Sequence, residues 1–102
     1  MDVSKVTDMH LMFAGAESFN QDLSAWDVSH VTDMSAVFEN VASFNHEINV
    51  WKVHHVTNMG AMFYLARSFN QDLSKWGVSR VTTMTTMFYK AASLIKTLAL
   101  GM

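Results

Sequence analysis

Residues 26–50, WDVSHVTDMSAVFENVASFNHEINV, are one of four near-copies of a 25-residue unit in this 102-residue chain. The other copies occupy residues 1–25, 51–75 and 76–100. A period in the twenties is typical of repeat proteins, in which no unit can bury its apolar side alone and stacked neighbours supply a continuous core. We therefore predict a single domain over residues 1–102, with residues one period apart lying side by side.

Several columns of the repeat keep an apolar residue in every copy, as the packed interior of a stack requires. In residues 26–50 these columns hold Val28, Val31, Met34, Val37, Phe38 and Val41. The last four follow the spacing i, i+3, i+4, i+7, which predicts one face of a short amphipathic helix. Thr32 stands where its hydroxyl would cap the first turn of that helix.

Upstream of the predicted helix, Trp26 and Val28 alternate with Asp27 and Ser29, which predicts a short half-buried strand. Four such strands should run in parallel, and the helix with its return loop supplies the crossover. We predict an α/β fold, a leucine-rich-repeat-like right-handed solenoid of four coils, each with one short parallel strand and one amphipathic helix. The handedness follows from the general crossover rule.

An asparagine column, Asn20, Asn45 and Asn70, follows a phenylalanine in each return loop. An amide at such a position can hydrogen-bond the loop backbone of its own and adjacent coils, and asparagine tolerates the left-handed conformation that tight turns need. We predict a structural role for this column.

Composition excludes several classes of function. The chain has no cysteine, a formal net charge of −2 and only seven scattered lysines and arginines, so neither a disulfide framework nor nucleic-acid binding is expected. No apolar run reaches the ~18 residues of a membrane span, and no signal peptide is recognisable. Serine, histidine and aspartate recur in repeated columns, whereas a catalytic group has a singular environment, so we expect no enzyme and no cofactor.

The segments WDVSHVTDM (26–34), SFNQDLSAW (18–26) and SFNQDLSKW (68–76) make the chain resemble the bacterial surface-protein repeat family. This is the BspA-like group of leucine-rich-repeat-type modules found in surface lipoproteins and adhesins. The resemblance covers nearly the whole chain and implies a cell-surface or secreted protein that works in attachment or recognition. The chain departs from the family by lacking an export signal and a lipid-attachment cysteine.

The binding surface is expected in columns whose identity drifts while the core columns stay fixed. The outward positions of the predicted strands behave in this way, and we predict that they bind a protein partner. The candidate binding residues are Lys5, Asp27, His30, Lys52, His54, His55 and Arg80.

The alternative function is a stand-alone small-ligand or metal-binding protein that uses the histidines of this face. His30 and His55 would be neighbours on adjacent strands, and two imidazoles can hold a divalent transition metal. Because a zinc site usually has three or four ligands and no further ones are apparent, no native metal is predicted.

The last copy departs from the pattern after Ser93, where LIKTLALGM replaces the FNQDLS motif. Terminal units of a solenoid usually carry a polar cap, and neither end of this chain has one. Two arrangements are open: the C-terminal segment folds back over the final coil, or the exposed ends pair between chains. We favour a homodimer, formed by end-to-end stacking or by exchange of the C-terminal segment.

Overall fold

A computed structural model describes residues 2–91, and it places turns where the sequence predicts strands and helices. Within these residues there is no α-helix and no extended strand. The regular pairing is limited to three single-residue parallel bridges, Asp8 with Asp33, Asp33 with Asn58 and Asn58 with Thr83. The prediction of an α/β solenoid with a strand and a helix in every coil is therefore wrong, and the handedness argued from a helical crossover loses its premise.

Left-handed backbone conformations explain why the predicted helix does not form. Ala36 has a φ of 55° and Asn40 a φ of 57°, so the segment 34–41 contains two residues that a right-handed helix excludes. The same two columns have positive φ in the other copies, at Leu11, Gly15, Ala61, Leu65, Thr86 and Lys90. An eight-residue stretch rich in valine and phenylalanine also has little helical stability of its own.

The amide groups of this segment alternate between two kinds of hydrogen bond. In the second copy the N–H groups of Val37, Glu39 and Val41 donate to the carbonyl three residues earlier, which closes successive turns. The amides between them donate to the next copy: Met34 to Asn58, Ala36 to Gly60, Phe38 to Met62 and Asn40 to Tyr64, at 2.7–3.0 Å. Stacking of the copies therefore supplies partners for amides that a helix would satisfy internally.

The predicted core columns are buried in the middle of the stack, although no helix presents them. Val31, Met34, Val37, Phe38 and Val41 all have an exposed fraction of 0%. Burial depends on which residues meet the neighbouring copy, and turns satisfy that requirement as well as a helix does.

Two rows of phenylalanine rings run through the core and interlock. The first row, Phe13, Phe38, Phe63 and Phe88, has centroid separations of 5.8, 5.7 and 5.6 Å between successive copies. The second row, Phe19, Phe44 and Phe69, has separations of 5.9 and 6.0 Å. Offset-stacked rings at these distances add stabilisation beyond the apolar area that they bury.

Polar side chains join the copies at the margin of the core. The Thr57 hydroxyl donates to the Thr32 carbonyl at 3.2 Å, and Thr32 and Thr82 make the same bond to the preceding copy. The predicted capping role of Thr32 is therefore wrong, because its hydroxyl bonds to another copy. The buried indole N–H groups of Trp51 and Trp76 donate to Leu23 and Ile48 carbonyls, each at 3.0 Å.

The radius of gyration is 12.1 Å, close to the roughly 13 Å expected of a compact domain of this length. Nothing in residues 2–91 forms a helix that could cross a bilayer. The predicted departure of the last copy after Ser93 lies outside the described residues, as does exchange of the C-terminal segment.

Candidate functional site

The predicted binding residues lie on and beside a turn that recurs once in every copy, over residues 4–5, 29–30, 54–55 and 79–80. Each turn is closed by a backbone hydrogen bond of 3.0–3.1 Å between valines, such as Val31 to Val28. We call the side chains of three columns the variable face: Asp2, Asp27, Lys52 and Gly77; Ser4, Ser29, His54 and Ser79; and Lys5, His30, His55 and Arg80. Of the seven candidates, only His55 is partly buried, and the other six are exposed.

The first column of the variable face changes charge between copies. Asp27 accepts the Ser29 hydroxyl at 2.6 Å and the Ser29 N–H at 3.0 Å, and these two bonds lower the pKa of its carboxyl below 3.8. Asp2 accepts the Ser4 N–H in the same way. In the third and fourth copies the column holds Lys52 and Gly77, so the local carboxylate is absent there.

The histidines of the third column join copies through the backbone. Nδ1 of His30 lies 3.0 Å from the Ser4 carbonyl oxygen, and Nδ1 of His55 lies 2.8 Å from that of Ser29. Each Nδ1 therefore carries the proton and donates it to the carbonyl. The rings of His54 and His55 are tilted with centroids 4.3 Å apart.

These imidazoles do not form a metal-binding group among the described residues. The group there with a suitable geometry is Asp8, His10 and Asp33, whose ligand atoms lie within 4.8 Å of one another. Nδ1 of His10 is 2.8 Å from Asp8 Oδ1, and this hydrogen bond raises the pKa of the imidazole. Asp8 and Asp33 also accept the backbone N–H two residues later, so all three side chains already have partners that stabilise turns.

The asparagine column also connects copies. Oδ1 of Asn20 accepts the Asn45 N–H at 3.1 Å, and Oδ1 of Asn45 accepts the Asn70 N–H at 2.8 Å. His46 and Gln71, one position later, each reach back to the asparagine carbonyl of the preceding copy at 2.9 Å. The amides thus hold the return loops in register.

A groove of about 480 Å³ lies where the variable face meets the end of the preceding copy. Its lining residues are Asn49, Val50, Trp51, Lys52, Val53, His54, Lys75 and Gly77. Two turns shape it, closed by the bonds from the Trp51 N–H to the Ile48 carbonyl and from the Trp76 N–H to the Leu73 carbonyl. We call this the basic groove, since Lys52, His54 and Lys75 line it and none of its eight lining residues is acidic.

A buried acceptor in the basic groove has no partner. Oδ1 of Asn49 is inaccessible to solvent and makes no hydrogen bond with any of residues 2–91. The equivalent residues Ser24 and Ser74 follow aspartates that accept their N–H groups at 2.9 Å. Glu47 occupies that aspartate column in the second copy, and its longer side chain is not suited to the same turn.

Sequence analysis missed Asn49, Val50 and Lys75. All three lie in columns that drift: Ser24, Asn49 and Ser74 form one, and Ala25, Val50 and Lys75 form the next. The criterion of drifting columns, applied outside the predicted strands, would have found them. The criterion does not indicate that residues of these two columns line one groove together with Lys52 and His54.

Comparison with known proteins shows similarity to one family. A family model described as a Mycoplasma protein of unknown function, DUF285, covers residues 1–99. No curated protein and no solved structure matches the chain.

Proposed function

This chain belongs to the DUF285 family, Mycoplasma proteins of unknown function, and we propose that it is a non-enzymatic recognition module that binds a protein partner. The resemblance to BspA-like surface repeats supports this function and favours a cell-surface or secreted location. The variable face, with the basic groove at its edge, is the proposed contact surface.

The observation that carries the proposal is the contrast between the inside and the outside of the stack. The turn that carries the face is closed by the same backbone hydrogen bond in each copy, from Val31 to Val28 and at the equivalent valines, so the backbone of the face has the same turn in each copy. The exposed side chains on it change from Asp27 to Lys52 to Gly77 within a single column. A fixed frame that carries varied side chains is the usual arrangement of a repeat protein that recognises a partner.

The polar groups of the face support binding better than catalysis. The Ser29 hydroxyl donates to Asp27, and His30 and His55 use Nδ1 for backbone contacts, so none of these imidazoles is placed to activate a serine through that nitrogen. A nucleophile needs a base within hydrogen-bonding reach and a group that orients the base.

The test is binding of purified host-surface proteins to the immobilised chain, measured by biolayer interferometry. A variant with His30, Lys52, His54 and His55 all changed to alanine should lose the binding. The matched control changes four exposed residues outside the face: Glu17, Ser18, Gln21 and Ser68. Thermal unfolding checks both variants, because His30 and His55 contribute bonds between copies. Binding that survives the loss of all four face residues would refute the proposal.

Self-association is a second candidate, favoured by the edge of the first copy. Carbonyls of the second copy at Asp33, Ser35, Val37 and Glu39 accept amides from the first copy. In the first copy, Leu11 and Met12 lie beside the equivalent carbonyls and are 52% and 41% exposed. Stacking of a second chain on this edge would give the predicted homodimer. Size-exclusion chromatography with light scattering tests it, and a monomer at all concentrations would exclude it.

A further inference from the structure

We infer that the basic groove binds an acidic peptide segment of the partner. This inference rests on the proposed recognition function and specifies its ligand. Three features of the groove support it: unpaired positive charge, a buried acceptor without a donor, and an apolar wall.

The first feature is the charge of the groove. Lys52 and Lys75 are exposed, line the same groove and make no ion pair with any residue in the described range 2–91. The chain as a whole has a formal net charge of −2, so this positive patch is local. It arises because the column that holds Asp2 and Asp27 has Lys52 in the third copy, and the column that holds Ala25 and Val50 has Lys75. A carboxylate that enters the groove therefore meets two cations and no lining carboxylate.

The second feature is the Asn49 acceptor, whose Oδ1 lacks a donor although it is buried. A buried acceptor without a hydrogen bond costs the protein roughly 1–3 kcal/mol. Asn49 is only partly buried as a residue, and rotation of its side chain toward the groove would let an N–H group of a ligand recover part of that cost. Inorganic phosphate at neutral pH and sulfated sugars bring mainly acceptors. A peptide backbone brings an N–H group at every residue other than proline.

The third feature is the apolar wall. Val50 is 56% exposed beside the lysines, and it can cover the methylene groups of a glutamate side chain. Trp51 is only 3% exposed and offers no face on which a nucleobase could stack. Proteins that bind single-stranded nucleic acid combine a basic groove with aromatic faces on which bases stack. The basic groove lacks an exposed phenylalanine, tyrosine or tryptophan face among its lining residues, so the lining favours a peptide.

The experiment measures fluorescence anisotropy with a labelled polyglutamate peptide of about six residues, which spans roughly 20 Å when extended. The neutral probe is polyglutamine of the same length. The wild type should bind polyglutamate and not polyglutamine. The double variant Lys52→Gln/Lys75→Gln should bind polyglutamate at least about fivefold more weakly, since exposed ion pairs contribute modestly. Both lysines are exposed, so the variant should unfold at the wild-type temperature.

The matched control is Arg67→Gln/Lys90→Gln, which removes the same charge outside the groove. It should bind polyglutamate as the wild type does. An equal loss in the control and the groove variant would show attraction to net charge alone and would overturn the inference.

A further variant, Asn49→Leu, removes the acceptor without changing charge. It should weaken polyglutamate binding without lowering the unfolding temperature, because an apolar residue of similar size relieves the unsatisfied oxygen. Unchanged affinity would overturn the role of Asn49 and with it the preference for a peptide.

A sulfated polysaccharide tests the other anionic macromolecule. Binding that depends on Lys52 and Lys75 and is restricted to this probe would overturn the peptide assignment, and absence of binding to every probe would overturn the site. Neither result tests the proposed recognition function. That function is tested by partner binding to the wild type and by its loss in the variant with His30, Lys52, His54 and His55 changed to alanine. A partner that binds through the face without any affinity for polyglutamate would refute only the acidic-peptide inference.

Discussion

Replacing Ala61 by glycine should leave the protein at least as stable as the wild type. Ala61 has a φ of 54°, and an L-residue in the left-handed region costs roughly 1–2 kcal/mol that glycine avoids. Two losses oppose this gain in the free energy of unfolding. Glycine has greater conformational freedom in the unfolded chain, which costs about 0.4–1 kcal/mol. Removal of a half-buried methyl group costs about 0.4 kcal/mol. The net expectation is a stabilisation of about 0.4 kcal/mol. If residues 59–66 formed a helix, the same change would destabilise by about 1 kcal/mol.

Ala14→Gly is the matched control, because Ala14 is exposed in the equivalent turns of the first copy and does not have a positive φ. It should lose about 0.4–1 kcal/mol from the entropy of the unfolded chain. Urea unfolding followed by tryptophan fluorescence measures both changes, with the slope of the transition used to check that unfolding remains two-state. If Ala61→Gly destabilised the protein as much as Ala14→Gly, the left-handed turn would be refuted.

Three further perturbations test the packing, the bonds between copies and the electrostatics. Phe38→Ala should destabilise by about 3–5 kcal/mol, because the ring is 0% exposed and stacks on rings of both neighbouring copies; a small shift of the urea midpoint would contradict continuous packing. Trp51→Phe should cost about 1–2 kcal/mol, since the indole N–H bonds the Leu23 carbonyl at 3.0 Å; an unchanged midpoint would exclude that bond. His10 should titrate above 6.5 in an NMR titration, because its hydrogen bond to Asp8 favours the charged form. The stabilisation from this pair is present below the unfolded pKa and is lost as pH rises through the folded pKa, and a His10 pKa unchanged in Asp8→Asn would contradict the pairing.

The period predicted which residues meet. Thr7, Thr32, Thr57 and Thr82 lie one period apart in the sequence, and the structure joins each to the next through backbone and hydroxyl bonds. The apolar columns were placed in the core for the same reason, and Phe38 and Phe63 are fully buried there. These predictions required only that equivalent positions lie side by side.

The conformation of each coil could not be predicted in the same way. Met34, Val37, Phe38 and Val41 have helical spacing, and they are buried in a run of turns. Periodicity indicates which side chains face the core, and it does not indicate the backbone conformation. A run of turns buries the same four side chains that a helix would bury. The positive φ of Ala36 and Leu65 could not be predicted from the sequence either, because alanine and leucine favour helices.

The basic groove depends on Asn49, which stands where two other copies have Ser24 and Ser74, and on Lys52, which stands in the column of Asp2 and Asp27. Lys52 was selected because its column drifts, which is visible in the sequence. Asn49 lies in the turn that the Trp51 N–H closes on the Ile48 carbonyl, and the burial of its Oδ1 without a donor is a feature of the folded chain that the sequence does not reveal.

The threonine column contains information about contacts between copies, which the helix prediction interpreted as capping. A threonine that caps a helix is needed once per helix and can be replaced by serine, aspartate or asparagine. The threonine at position 32 is present in all four copies. Every other polar position in the predicted cap and first turn changes its residue between copies. Its methyl group and hydroxyl together suit a position where one side faces the core and the other bonds a neighbouring carbonyl. Strict retention of a polar residue at one column is therefore better explained by contact between copies than by local capping, and it favours a stack held by its backbone over one held by helices.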